Sequence, residues 1–201
     1  MTASAASTAT PDLLTALANK ATHLRMDSVK ATTEAGSGHP SSCCSAADIV
    51  AVLFFSVMRY DPKNPKLPNS DRFVLSKGHA APLLYAAWAE AGLFPKSELL
   101  KLRTLGSDLE GHPTPRLSFV DMATGSLGQG LPIAVGMALA LRHKNNPAFV
   151  YNSMSDGELD EGSTWEAAMA ASHHSLSNLI CLVDINNQQA HGPSGKVLGF
   201  E

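Results

Sequence analysis

The chain has 201 residues, 44% hydrophobic and 16% charged, enough apolar material for one domain with a sizeable core and too much for a disordered chain. A formal net charge of −3, with no basic stripe and no interleaved aromatics, gives no electrostatic case for a nucleic-acid partner. Low charge and abundant alanine instead fit extensive buried surface, a subunit interface included.

The opening MTASAASTATP lacks the basic region and apolar stretch of a secretory signal and the arginines of a mitochondrial presequence, so residues 1–11 read as a loose tail before a domain over 12–201. Leu13, Leu17, Ala21 and Leu24 recur at helical spacing and predict a helix running toward Thr32 or Thr33. Gly36, Gly38 and Pro40 interrupt it and place His39 in a tight turn. Ala47, Val50, Ala51, Phe54, Phe55 and Met58 then form the wide apolar face of a second helix. No apolar run of the roughly 18 residues needed to cross a membrane is read anywhere in the chain. DPKNPKLPNSD follows as a loop, then a short strand over Phe73–Ser76 that runs into Lys77-Gly78-His79. A helix starts near Ala80 and stops around Gly92, and another, opened by proline, spans Pro95 to Leu105.

Gly106 to Thr124 is long for a connection without structure of its own and holds His112 between Gly111 and Pro113; loops of that length are functional or mobile. Gly125-Ser126-Leu127-Gly128-Gln129-Gly130 leads into a nearly uniformly apolar helix, IAVGMALALRHK, expected beneath the sheet or between subunits. The pattern supports neither a nucleotide P-loop nor a dinucleotide fingerprint. Cys43 and Cys44 are adjacent, Cys181 lies in an apolar strand, and the odd total without a CxxC argues against a disulfide framework or zinc site. A reducing cytoplasmic setting is the default expectation.

The informative stretch is Val150 to Gln188. Phe149–Met154 reads as a strand, Leu159–Ser172 as a helix and Leu179–Ile185 as a second strand, most economically a parallel, right-handed crossover. Asp156 and Gly157 then fall at the carboxyl end of the first strand and Asn186 at that of the second, the edge where open α/β sheets bind ligands. A carboxylate, an amide oxygen and a backbone carbonyl near Gln188 are hard donors suited to Mg2+ or Ca2+. Glu158, Asp160 and Glu161 in the first turn of the helix would repel a bare phosphate, so a cation would mediate the contact. Ordinary loop caps are the alternative reading of Asp156 and Asn186. Downstream of Asn186 the sequence has turn residues and no full element.

SDGELDEGSTWEA followed by DINN resembles the thiamine diphosphate motif of transketolases, in which GDG is followed at this spacing by an asparagine. SGHPSSCCSAADIVAVLFF, NSDRFVLSKGHAAPLLYAAWAEAG, SDLEGHP and ATGSLGQGL also resemble transketolase segments, in the same order. Ser155 stands where the family has the first glycine of GDG, and Asn187-Gln188 where it has Arg-Leu. The resemblance implies a three-layer α/β fold with an open, mostly parallel sheet and helices on both faces. It implies thiamine diphosphate and Mg2+, with Ca2+ or Mn2+ as alternatives, as cofactors. It implies Asp156, Asn186 and the carbonyl of Gln188 as metal ligands. Ser42, His79, Gly125, Ser126, Leu127, Gly157 and Asn186 are implied on the cofactor, and His39, His79 and His112 in catalysis.

The implied reaction moves a two-carbon ketol unit between sugar phosphates. In the family the glutamate that promotes cofactor ionisation lies in a second, pyrimidine-binding domain of a partner subunit. The chain is therefore expected to be incomplete at its C-terminus and to act as a homo-oligomer or with a subunit that carries that domain. Another thiamine diphosphate enzyme, such as a deoxyxylulose-phosphate or dihydroxyacetone synthase, and a non-catalytic interaction protein that keeps the fold are the alternatives. Trp88 and Trp165 read as core or interface aromatics, and Lys77 as a phosphate contact, a cap or a surface residue.

Overall fold

The structure, a computed structural model, describes residues 9–199; most of the expected tail, residues 1–8, lies outside the described residues. Helix α1 (Pro11–Glu34) starts one residue inside the expected tail because Thr10 caps it, its hydroxyl accepting the Leu13 N–H at 3.3 Å, with Pro11 in the first turn. Leu17, Ala21, Leu24, Ser28 and Ala31 form its buried stripe. Helix α2 (Pro40–Val52) continues into a single π-turn at Leu53–Val57. Together these form an 18-residue helical stretch with a mean hydropathy of 1.6, long and apolar enough by composition to cross a membrane, contrary to the reading of the sequence. Here it lies against α1 and α3 (Ala81–Glu90) with Cys43, Ala46, Ala47, Val50 and Ala51 buried.

Strands β1 (Arg72–Leu75), β2 (Val150–Ser155) and β3 (Leu179–Asp184) form one parallel sheet in the order β1-β2-β3. Val150 pairs with Leu179 and Ser155 with Asp184, so both strands end level at the carboxyl edge. Side-chain alternation divides the core between the two faces. Phe73, Leu75, Tyr151 and Leu182 pack with α2 and α3, while Val74, Val150, Met154, Leu179 and Val183 pack with α4 (Gly130–His143) and α5 (Gly162–His173). This is the α/β arrangement that was expected, with helices on both faces of a parallel sheet.

Several elements depart from expectation for local reasons. Pro95–Leu105 yields only a 3-10 segment at Lys96–Lys101, since Leu102 turns extended and Arg103 adopts a left-handed φ of 58°. Helix α5 begins at Gly162 rather than Leu159 because Asp156–Asp160 forms a separate 3-10 turn. The α4 helix buries one side only, through Leu131, Ala134, Val135 and Ala138. Among the described residues strand β3, apolar in sequence, pairs with β2 alone and leaves Ile180 and Cys181 exposed. The segment after Asn186 folds into a small hairpin, β4 (Gln188–Gln189) with β5 (Gly192–Pro193), and one turn, α6 (Ser194–Val197). All three cysteines are free.

Trp88 is the centre of an aromatic cluster, its ring 5.4 Å from Phe54, 5.1 Å from Tyr60 and 5.3 Å from Phe119. Trp165 is 53% exposed and only its indole N–H is held, by the Leu159 carbonyl at 2.8 Å, so it is not a core residue. Trp88→Ala is expected to cost ~3–5 kcal/mol of unfolding free energy in urea. Trp165→Ala should cost less than about 1 kcal/mol, the scale of one exposed hydrogen bond. Equal losses would contradict this placement.

Candidate functional site

The carboxyl edge of the sheet is assembled around Glu158, whose side chain is fully buried. One carboxylate oxygen accepts the Ser76 hydroxyl at the end of β1 and the Gly128 N–H at 3.1 Å; the other accepts the Ser155 N–H at 2.9 Å. The Ser155 hydroxyl accepts the Glu158 N–H in return, completing a capping box. Glu158 is thus committed inward, which leaves Asp160 and the exposed Glu161 as the outward-facing carboxylates of that turn. The same geometry explains Ser155. Its backbone is extended (φ −98°, ψ 164°), a conformation that needs no glycine, and its hydroxyl has a partner.

Asp156 follows β2 and Asn186 lies two residues past β3, so adjacent strands deliver both to one edge. Asp156 is buried; its Oδ1 accepts the Gly157 N–H at 3.0 Å and its Oδ2 the Ser194 hydroxyl at 2.8 Å. The Asn186 Oδ1 accepts the Gln188 N–H at 2.9 Å, and its Nδ2 donates to the Ser45 hydroxyl at 3.2 Å. A Cβ on Gly157 would lie 3.6 Å from the Gln189 side chain, so the short hairpin rests against the bare backbone there. Among the described residues no group of three His, Cys, Asp or Glu side chains could hold a metal. A cation at this edge would depend on the mixed donor set of Asp156 carboxylate, Asn186 amide oxygen and Gln188 carbonyl. That set fits a hard divalent ion.

The three loop histidines gather beside this edge. The His39 and His79 rings lie 5.2 Å apart, edge to face, and His79 Nε2 is 3.1 Å from the Ser42 hydroxyl. His112 packs on Gly125, where a Cβ would come within 2.7 Å of the imidazole. Gly78 in turn abuts the Thr124–Gly125 backbone, where a Cβ would come within 2.6 Å of the Thr124 carbonyl carbon. Only glycine permits that approach, which joins the Lys77-Gly78-His79 turn to the Gly125-Ser126-Leu127 segment. The long loop is held in place: the Tyr85 hydroxyl donates to the Glu110 and His112 carbonyls at 3.0 and 3.2 Å, and the Thr124 hydroxyl to the Leu75 carbonyl at 2.6 Å. Ser126 is exposed and Leu127 half-buried at its end.

Lys77 is not a surface residue: it stands at the N-cap position of the turn Gly78–Ala80 through its backbone, while its side chain turns inward. Its side chain is 1% exposed and its Nζ lies 2.6 Å from Asp184 Oδ2, an ion pair inside the fold. Burial first, then the positive charge of Lys77 and the neighbouring His39 and His112, lowers the His79 pKa to about 4. Burial, with Arg103 and His39, lowers that of His112 as well. Both imidazoles are therefore neutral at neutral pH, each with one donor and one acceptor nitrogen. The inward role of Glu158 was detectable through the Ser-x-x-Glu capping signature. The pairing of Lys77, and Asp184, Ser45 and Ser194, which were not singled out, had no such signal.

A parallel α/β domain with polar residues of two adjacent strands at its carboxyl edge is a cofactor-binding domain, and residues 15–198 match the family described as transketolase, thiamine diphosphate binding domain. The chain belongs to the transketolase family. It is 56% identical to transketolase of Homo sapiens over 182 residues, 90% of this chain and 29% of that protein. It is 45% identical over 189 residues to an uncharacterized transketolase family protein of Sinorhizobium fredii, 92% of this chain and 67% of that one. Transketolase from Campylobacter jejuni superposes with a TM-score of 0.87 at 36% identity, over 92% of this chain and 30% of that one. Transketolase of Pichia stipitis in complex with sedoheptulose-7-phosphate gives 0.83 at 34% identity, over 92% and 29%. The chain thus spans less than a third of the human, Campylobacter and Pichia transketolases.

The folded chain protonates His79 only near pH 4, whereas an unfolded histidine does so near 6.5. The unfolded state binds more protons between those values, so the stability that His79 contributes is complete above pH 6.5 and is lost as pH falls toward 4. His79→Gln is expected to flatten the loss of unfolding free energy across that window, measured by urea titration at a series of pH values. Parallel wild-type and variant profiles would contradict it.

Proposed function

We propose that this chain is the diphosphate-binding half of a transketolase-type active site. The observation that carries the reading is the convergence, at one sheet edge, of Asp156 and Asn186 with the cluster of His39, His79 and His112. Thiamine diphosphate, when bound, supplies the carbanion chemistry by which a two-carbon ketol unit passes between sugar phosphates. Asp156, Asn186 and the Gln188 carbonyl would hold a divalent ion, Mg2+ or in its place Ca2+ or Mn2+, which would supply positive charge to offset the negative charge of the diphosphate. Gly157, Gly125, Ser126, Leu127 and Ser42 offer small side chains and backbone to the cofactor. A neutral imidazole can accept a proton from one sugar hydroxyl and donate to another, which is the role of His79 and His112, with His39 beside them as a further hydrogen-bonding group. The Ser42 hydroxyl fixes the His79 ring for it. That a solved relative is in complex with sedoheptulose-7-phosphate supports sugar phosphates as the substrate class.

Turnover requires the complementary pyrimidine-binding domain, which we place on a partner polypeptide or on a continuation of this chain, in a homo-oligomer or a hetero-oligomer. The chain covers 67% of the Sinorhizobium relative against 29% of the human one, so the family includes polypeptides less than half the human length. The partly uncovered α4 helix offers a surface for such assembly. Three free thiols suit a reducing, cytoplasmic setting.

Calorimetry of the chain should show thiamine diphosphate binding that depends on Mg2+ and is lost in Asp156→Ala, with no ketol transfer until a complementary domain is added. Binding indifferent to both Mg2+ and Asp156→Ala, or turnover by the chain alone, would overturn the reading. Because the Ser194 hydroxyl occupies Asp156 Oδ2, Ser194→Ala should tighten Mg2+ binding by roughly 3–10-fold, the worth of one hydrogen bond. Unchanged or weaker binding would show that Ser194 does not compete.

A further inference from the structure

The buried pair Lys77–Asp184 is part of a longer chain of hydrogen bonds. Asp184 Oδ2 receives Lys77 Nζ at 2.6 Å, Asp184 Oδ1 receives the Ser45 hydroxyl at 2.8 Å, and the Ser45 oxygen receives Asn186 Nδ2 at 3.2 Å. Three segments distant in sequence meet here: the turn after β1, the first half of α2, and the end of β3. We infer that Lys77, Asp184 and Ser45 are positioning residues that fix the orientation of the Asn186 amide, turning its oxygen toward the metal. The inference rests on the proposed metal role of Asn186 and concerns what sets that ligand.

Donor and acceptor counting supports this. An ionised carboxylate only accepts, so Asp184 draws the Ser45 proton to itself. The Ser45 oxygen is then left with lone pairs alone and can only accept from its other neighbour. An asparagine facing it must present the NH2 group, which directs Oδ1 the opposite way, toward the Gln188 N–H at 2.9 Å, with its second lone pair unassigned. Without Asp184 the Ser45 hydroxyl could donate instead, and the Gln188 N–H alone would be left to select the orientation of the amide. Lys77 keeps the arrangement affordable: with the side chains of Lys77 and Asp184 only 1% and 8% exposed, either charge alone would be buried without compensation. Such outer partners govern how well a metal ligand is oriented.

The test is Mn2+ affinity of the chain in saturating thiamine diphosphate, read from the free-Mn2+ electron paramagnetic resonance signal, with melting of the cofactor-free chain recorded alongside. Ser45→Ala leaves the ion pair in place and should fold as the wild type does, yet bind Mn2+ about 10-fold more weakly. Ser45→Thr, which restores a hydroxyl, should return within about 2-fold of wild type, a rescue that loss of packing alone would not produce. In the cofactor-free chain the side-chain NH2 resonances of Asn186 should shift in Ser45→Ala and recover in Ser45→Thr. Where Asp184→Asn folds, it should weaken Mn2+ binding as Ser45→Ala does. Loss of Mn2+ binding in Asp156→Ala with unchanged affinity in Ser45→Ala would overturn the positioning role and leave the proposed function standing. Wild-type affinity in Asp156→Ala, or no binding by the wild-type chain, would overturn both.

Discussion

Glu158 is the constraint on which the site depends. A carboxylate without solvent access must find donors within the protein, and it finds them at the end of β1 (Ser76), in the loop before α4 (Gly128) and at the end of β2 (Ser155). Each of those segments runs directly into candidate site residues: Ser76 into Lys77 and His79, Gly128 from Gly125–Leu127, and Ser155 into Asp156. Losing one partner of a buried charged hydrogen bond leaves the carboxylate undersatisfied, at a cost of roughly 1–3 kcal/mol or more. The three loops are consequently positioned together rather than one at a time, and their relative placement is a property of the fold.

A second buried charge system lies across the edge from the first. Lys77 and Asp184 connect the β1 turn to the end of β3, and Lys77 also bears on His79 electrostatically. The edge thus carries two kinds of group with different tasks. Glu158, Lys77 and Asp184 are buried and satisfied within the protein. Asn186, His39 and Ser126 stand exposed on the same edge, available to a ligand. Rigid support beneath accessible polar groups is the arrangement that cofactor chemistry requires.

Much of this was legible in the sequence, and the remainder was not for identifiable reasons. The crossover Val150–Asp184 was readable because two apolar runs flank a helical segment, and with it the edge that carries Asp156 and Asn186. The histidines could be singled out by their glycine neighbours, but their convergence depends on close backbone contacts such as Gly78 against Thr124, which no local pattern reports. Lys77 was misread because lysine is rarely buried unless paired, and its partner is 107 residues away. Pro95–Leu105 has helical composition, yet Arg103 in the left-handed region ends the segment early, a tertiary outcome that propensity does not register. The apolar run of β3 was readable as a strand, but the exposure of Ile180 and Cys181 among the described residues is a tertiary feature that no local pattern reports.

Whether this edge is a preformed metal and diphosphate half-site can be read from a crystal structure of the chain grown with thiamine diphosphate and Ca2+. The expected result is a cation bound by the Asp156 carboxylate, the Asn186 side-chain oxygen and the Gln188 carbonyl, with the diphosphate beside Gly157 and Glu158 still buried against Ser76, Gly128 and Ser155. A cation and diphosphate bound elsewhere on the chain, or a Glu158 turned out to ligate the ion, would contradict it.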